Sequence, residues 1–290
     1  MVDEAGRFAW YELMTTDIAS AKAFYGKVLG WNSLDASTPD LAYTLFTMGE
    51  APVSGLMDLP AQARKKGATP RWIGYVAVDD VDAVARRFKR LGGTVYVSPT
   101  DTNIGRIAVV ADPQTANFAL VSGLKPAPRR TGELGEVGHV GWHELLADDW
   151  NKAFAFYGEL FGWQKADDDE IGSTEKYQLF AAGGQTMGGM FNKRPMEPIA
   201  FWLYYFSVED VDAAMERVKK GGGRVFEGPY ELPHGSWIAR CRDPQGAAFA
   251  LQGNRREDAI RRAPGSDVAW SAQWGEFSSR GRLQVPKRNT

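Results

Sequence analysis

One cysteine, three histidines and almost no net charge are the scarcities of this 290-residue chain. The single thiol, Cys241, excludes an intrachain disulfide framework and any zinc site built from clustered cysteines, and it suits a reducing cytoplasm. With 34 basic against 36 acidic residues, no global field recruits nucleic acid or an anionic membrane, so neither is expected as a partner. No run reaches the roughly 18 unbroken apolar residues of a spanning helix. The first residues, Met1-Val2-Asp3-Glu4-Ala5-Gly6, are acidic and lack the apolar stretch of a secretion signal. A soluble cytoplasmic protein is expected. Core-forming residues are plentiful: at 44% hydrophobic and 12% aromatic, the chain can fill the cores of two domains.

The chain repeats itself. At an offset of 132 residues, Trp10, Glu12, Leu13, Asp17, Tyr25, Gly30 and Trp31 fall on Trp142, Glu144, Leu145, Asp149, Tyr157, Gly162 and Trp163. A second stretch, VDDVDAVARRFKRLGGTV from Val78, matches VEDVDAAMERVKKGGGRV from Val208, and DPQTANFAL later matches DPQGAAFAL. Duplication is the simplest explanation.

Within each copy the pattern reads as strand, helix and further strands. Phe8 to Met14 is a strand; Asp17 caps a helix with an apolar stripe of Ile18, Ala21, Tyr25 and Val28, and Gly30 sits where such a helix stops. Ala42 to Met48 and Pro52 to Met57 follow as short strands. Ile73 to Val78 then leads into a second helix with Val81, Val84, Phe88 and Leu91 at helical spacing, stopped by Gly92-Gly93. Thr94 to Val97, Arg106 to Ala111 and Asn117 to Val121 complete that unit, with a turn at Asp112. The fold class expected is α+β: four βαβββ modules, two in each of two domains, 7–123 and 138–254. Proline, glycine and charge mark residues 124–137 as a linker. The tail, 255–290, carries eight basic residues (Arg255, Arg256, Arg261, Arg262, Arg280, Arg282, Lys287, Arg288) and the aromatics Trp270, Trp274 and Phe277. It reads as a segment that wraps its own domain or a sister subunit, so a homodimer through the tail is an expectation.

The duplicated strand, the D-x-x-x-A-x-x-FYG-x-x-x-GW helix, the VDDVDA helix start and the DPQ hairpin together resemble the vicinal oxygen chelate superfamily over residues 7–254. This is the superfamily of glyoxalase, bleomycin-resistance and extradiol-dioxygenase proteins. The resemblance implies that paired modules curl into open cups with mixed sheets. It also implies, for the metal enzymes of that family, a His or Glu in a module's first strand and a Glu in its last, holding a divalent ion. Here the first-strand positions fall on Trp10, Ile73, Trp142 and Leu203. The closing positions fall on Ala119 and Ala250, and near Gly55 to Met57 and Gly188 to Met190. None is a ligand, so no cofactor is expected. His139 and His143, four apart on one strand, stand roughly 13 Å from each other, too far to share an ion, and read as polar residues at a strand end or under a helix. His234, in a Pro-His-Gly loop, is a candidate rim residue.

Glu12 and Glu144 each lie two residues beyond a ligand-type position and so face their cups beside Trp10 or Trp142. A carboxylate beside an indole in a partly dry pocket has its charged form disfavoured, which suits it to act as a base; it also suits an anchor for a ligand hydroxyl or amine. The plainer reading is a glutamate paired with a local Arg or Tyr that holds the sheet. Trp10, Tyr75, Trp142 and Tyr205 are the expected aromatic lining, and the runs Gly55-Leu56-Met57 and Gly188-Gly189-Met190 the adaptable walls. Trp31 and Trp163 read as core plugs. The function expected is metal-free binding of a small, partly aromatic molecule. The alternative is a lyase, isomerase or dioxygenase of the superfamily that uses Glu12 and Glu144, or a metal site set at other positions. A third reading has aromatics closing the cups and the surface and tail doing the work.

Overall fold

The computed structural model describes residues 5–39, 41–125, 135–166, 177–195, 197–232 and 235–255. The linker's centre, His234 and the tail beyond Arg255 lie outside them. In the first half the elements run β1 (Phe8–Thr15), α1 (Ile18–Leu29), β2 (Asn32–Asp35), β3 (Thr44–Met48), β4 (Ala51–Asp58), α2 (Ala61–Lys65), β5 (Arg71–Ala77), α3 (Val81–Arg90), β6 (Thr94–Thr102), β7 (Gly105–Ala111) and β8 (Asn117–Ser122). The second half has β9 (Val140–Ala147), α4 (Trp150–Phe161), β10 (Gln164–Ala166), β11 (Tyr177–Ala182), β12 (Gln185–Asn192), β13 (Phe201–Asp210), α5 (Val211–Lys220), β14 (Arg224–Glu231), β15 (Trp237–Arg242) and β16 (Ala248–Asn254). Among the described residues it has no counterpart of the five-residue α2.

Each half is one eight-stranded mixed sheet, ordered β2-β3-β4-β1-β5-β8-β7-β6 and β10-β11-β12-β9-β13-β16-β15-β14. The two modules of a half join where their first strands run antiparallel, β1 on β5 and β9 on β13. Local chemistry sets the helices. Asp17 and Asp149 accept from Ser20 N and Lys152 N at the two N-termini, and Gly30 and Gly162 close the helices in the left-handed region at φ 76° and 71°. β6 runs to Thr102, beyond the apolar stretch that marks it in sequence. At an exposed edge the backbone ladder to β7 continues to Thr102 opposite Gly105 without apolar side chains to signal it.

The helix-bearing faces of the two sheets share one aromatic core. Phe24 of α1 packs edge-on against Phe249 of β16, and Phe88 of α3 against Phe156 of α4. The two most conspicuous repeat motifs meet across this seam. Trp72 Nε1 donates to the Tyr25 hydroxyl (2.9 Å), which donates to Asp243 of the other half (3.1 Å). In the reciprocal set, Trp202 Nε1 donates to Tyr157 (3.1 Å), and Tyr157 donates to Asp112 (3.0 Å). Each aspartate's other oxygen closes its own DPQ turn on two backbone N–H groups. Residues that touch their own copies mark the axis relating the halves. Tyr11 meets His143 at 2.6 Å, and Gly74 N donates to the Tyr204 hydroxyl at 2.8 Å. Among the described residues no helix is long and apolar enough to cross a membrane.

Candidate functional site

On the face of each sheet away from the shared core lies a second, smaller apolar cluster, which is the lining of the cup. Strand alternation puts Trp10, Glu12 and Met14 of β1 there with Ile73 and Tyr75 of β5 and Ala119 of β8. The second cup repeats the arrangement with Trp142, Glu144, Leu146, Leu203, Tyr205 and Ala250.

In the first cup Trp10 Nε1 donates to the Tyr43 hydroxyl (3.3 Å), which donates to Glu12 Oε2 (2.8 Å), while Tyr75 donates to Glu12 Oε1 (2.9 Å). The chain of donors ends on the carboxylate, which is 2% exposed. Burial pushes the Glu12 carboxyl above its usual range, and the two phenols oppose that shift without cancelling it. The second cup has the same quartet: Trp142 Nε1 to Tyr177 (3.1 Å), Tyr177 to Glu144 Oε1 (3.2 Å) and Tyr205 to Glu144 Oε2 (2.7 Å). It adds a cation. Arg240 donates through Nη2 to Glu144 (2.6 Å), through Nε to the Tyr205 hydroxyl (3.1 Å) and through Nη1 to Glu227 (2.9 Å), and Glu227 also pairs with Arg194. The expected plain pairing of these glutamates with local Tyr or Arg is thus part of the geometry in both cups.

Sequence reasoning missed Tyr43, Tyr177 and Arg240, and it read Gly55 and Gly189 as parts of adaptable walls without seeing that they admit the tyrosines. Gly55 lies opposite Glu12 on β4, and Gly189 lies opposite Glu144 on β12. A Cβ on either would collide with the tyrosine hydroxyl or ring that reaches over it. A closing position without a side chain is what lets Tyr43 and Tyr177 reach the carboxylates. The pairing also corrects the methionine walls. Leu13 sits opposite Leu56 and Leu145 opposite Met190, so Met190 is the copy of Leu56 and lies in the shared core. Met57 alone of the pair faces a cup; its copy is Phe191.

The family's chelating positions hold Trp, Ile, Leu, Ala and Gly, none of which offers a carboxylate or imidazole to an ion, and Arg240 already holds a positive charge against Glu144. Among the described residues no group of three or more His, Cys, Asp or Glu could hold a metal ion. The residues present therefore do not fit a chelated divalent ion. His143 is not at a strand end. It lies mid-strand in the seam between the halves, stacked on Phe8 at 4.2 Å, with Nδ1 2.7 Å from the Met187 carbonyl. The neutral tautomer with a proton on Nδ1 satisfies both contacts, since Nε2 then accepts from Tyr11. Burial lowers its pKa from 6.5 to about 4. A depressed pKa gives stability that is present above the ordinary value and lost as pH falls toward the folded one. Unfolding in urea between pH 7 and 4 should show that loss, and H143Q should flatten the profile in the same window; an unchanged slope would remove His143 as its source. His139 precedes β9, beside Glu136. Cys241 is buried in the shared core, its thiol pushed up to about 12 by burial.

The family model for the Glyoxalase/Bleomycin resistance protein/Dioxygenase superfamily matches residues 7–120 and 136–251. The chain is 34% identical over 248 residues to the protein named "Putative glyoxylase CFP32" of Mycobacterium bovis, covering 83% of this chain and 92% of that one. It is 32% identical over 263 residues to "Anthracycline biosynthesis protein DnrV" of Streptomyces peucetius, covering 85% and 92%. Among solved structures, the Mn(II)-bound glyoxalase from Novosphingobium aromaticivorans superposes with a TM-score of 0.60 at 16% identity, over 99% of this chain and 96% of that one, a likeness of fold.

Proposed function

The chain belongs to the Glyoxalase/Bleomycin resistance protein/Dioxygenase superfamily, and from that membership we propose that it binds a small, partly aromatic molecule in a metal-free cup, the one in its first half. One contrast carries this reading. Met14, Met57 and Ile107 are half-buried around the first cup, whereas their copies Leu146, Phe191 and Ile238 are buried around the second. At these three positions the second cup is closed over, while the first leaves apolar side chains accessible. Methionine at two of the three positions gives a wall that adapts to varied shapes. The anthracycline-biosynthesis name of one relative supports an aromatic ligand. No nucleic acid or membrane partner is assigned, and self-association through the tail stands as a proposal for size-exclusion measurement.

The test combines metal analysis with a thermal-shift screen of aromatic small molecules on protein purified without chelator. The expected result is no stoichiometric Fe, Mn, Ni or Zn, and a hit that stabilises the fold by about 2.7 kcal/mol at a hundredfold excess over Kd. Val109→Trp, which fills the first cup, should abolish the shift. Stoichiometric metal, or a shift that survives that substitution, would overturn the reading. A second reading, an enzyme that uses Glu12 as base, draws on the raised pKa of that carboxyl; turnover of a hit by the unmodified protein, lost in Glu12→Gln, would favour it.

A further inference from the structure

The two cups differ most sharply in what balances their glutamate. In the second, the guanidinium of Arg240 bridges Glu144 and Tyr205 and lies over the Phe191 ring, 5.6 Å from its centroid. The strand pairing locates the same place in the first cup. Glu227 of β14 sits opposite Arg240 of β15, and Val97 of β6 sits opposite Val109 of β7. Both members of the ion pair are thus replaced together by valine, while the Trp, Glu and two Tyr that surround the guanidinium's seat are kept. Glu12 has no Lys, Arg or His partner among the described residues. In the second network Glu144 is met directly by Arg240, within a set that also holds Glu227, Arg194 and Glu197; the carboxyl of Glu12 has phenols alone as side-chain partners.

We propose that the first cup recognises its ligand through a protonated amine or guanidine, seated against Glu12 and Tyr75 where the Arg240 guanidinium sits against Glu144 and Tyr205 in the second cup. The second half shows that this cradle accepts a guanidinium with an aromatic surface beside it. In the first half the surface beside the seat is Met57, Ile107 and Val109, all half-buried. The ligand is therefore a monocation on an aromatic or otherwise apolar scaffold: the charge meets Glu12 and the scaffold meets the thioether and aliphatic wall. A carboxylate out of water binds such a group more strongly than it binds a neutral hydroxyl, because the interaction is charge-assisted and poorly screened.

This inference rests on the reading of the first cup as the ligand cup, and the experiment separates the two. The probes are arylalkylamines, 2-phenylethylamine and tryptamine, each with its neutral isostere, 2-phenylethanol and tryptophol. Binding to the full chain at neutral pH is read by calorimetry. The amines are expected to bind at least about tenfold more tightly than the alcohols. Glu12→Gln should bring the two series to the same affinity, and Val109→Arg, which supplies the cation from the chain, should reverse the preference. Equal affinities in the unmodified protein would overturn the cation assignment and leave the ligand cup standing. A preference that survives both substitutions would do the same. Failure of both series to bind at millimolar concentration would remove the small-molecule reading of the cup and the amine with it.

Discussion

Glu144→Gln is expected to cost about 3 kcal/mol of folding stability, whereas Glu12→Gln, the same change at the equivalent position, should leave the protein as stable or more stable at neutral pH. The sign follows from what each substitution leaves behind. Removing the charge of Glu144 leaves a guanidinium whose side chain is 11% exposed with Glu227 as its ion-pair partner and Glu197 within electrostatic reach. Breaking a buried pair from one side costs roughly 3 to 5 kcal/mol, and the retained Glu227 contact puts the loss at the lower end. Removing the charge of Glu12 strands no cation. Burial holds its folded pKa above the unfolded one, so its contribution to stability is fully present below the ordinary carboxylate range and lost as pH rises through the raised value. The Gln variant's advantage should therefore grow with pH. Urea unfolding measures both, and Arg240→Met on the Glu144→Gln background should recover at least about 2 kcal/mol of the loss. Equal costs for the two glutamines would show that Arg240 does not distinguish the cups.

The division between what the sequence revealed and what it hid follows from the reach of each interaction. Asp17, Gly30 and the strand alternation of Trp10 and Glu12 act over a few residues, and their duplication at 132 residues makes them stand out twice. Tyr43 and Tyr177 complete the same quartet but are 134 apart, because the segment between β2 and β3 is shorter than that between β10 and β11. A repeat comparison at fixed offset passes over them. Arg240 is hidden for the opposite reason: its copy is Val109, and an unduplicated residue gives self-comparison nothing to find. The FYG and DPQ motifs were legible as a helix signal and a turn signal. Their bond to each other spans 218 residues in one direction and 45 in the other, and nothing local announces it.

That interlocking has a measurable consequence at the two tryptophans that follow the capping glycines of α1 and α4. Trp31→Ala and Trp163→Ala are each expected to lower stability by about 3 to 5 kcal/mol, and to do so for the whole chain in a single transition. Each ring is nearly buried in the shared core, and each indole N–H crosses the seam: Trp31 Nε1 donates to the Gly138 carbonyl at 2.9 Å and Trp163 Nε1 to the Gly6 carbonyl at 2.6 Å. Their ring contacts also cross the seam, Phe206 edge-on to Trp31 and Phe8 tilted against Trp163. Alanine therefore removes packing and leaves an acceptor unpaired in the half that was not mutated. Denaturation followed by tryptophan fluorescence and by far-ultraviolet circular dichroism should give superimposable curves in each variant, shifted together. Two separated transitions, with only the mutated half moving, would show that the halves are independent. If they unfold together, a ligand held in the first cup stabilises the second half by the same free energy, since neither sheet loses its core without the other.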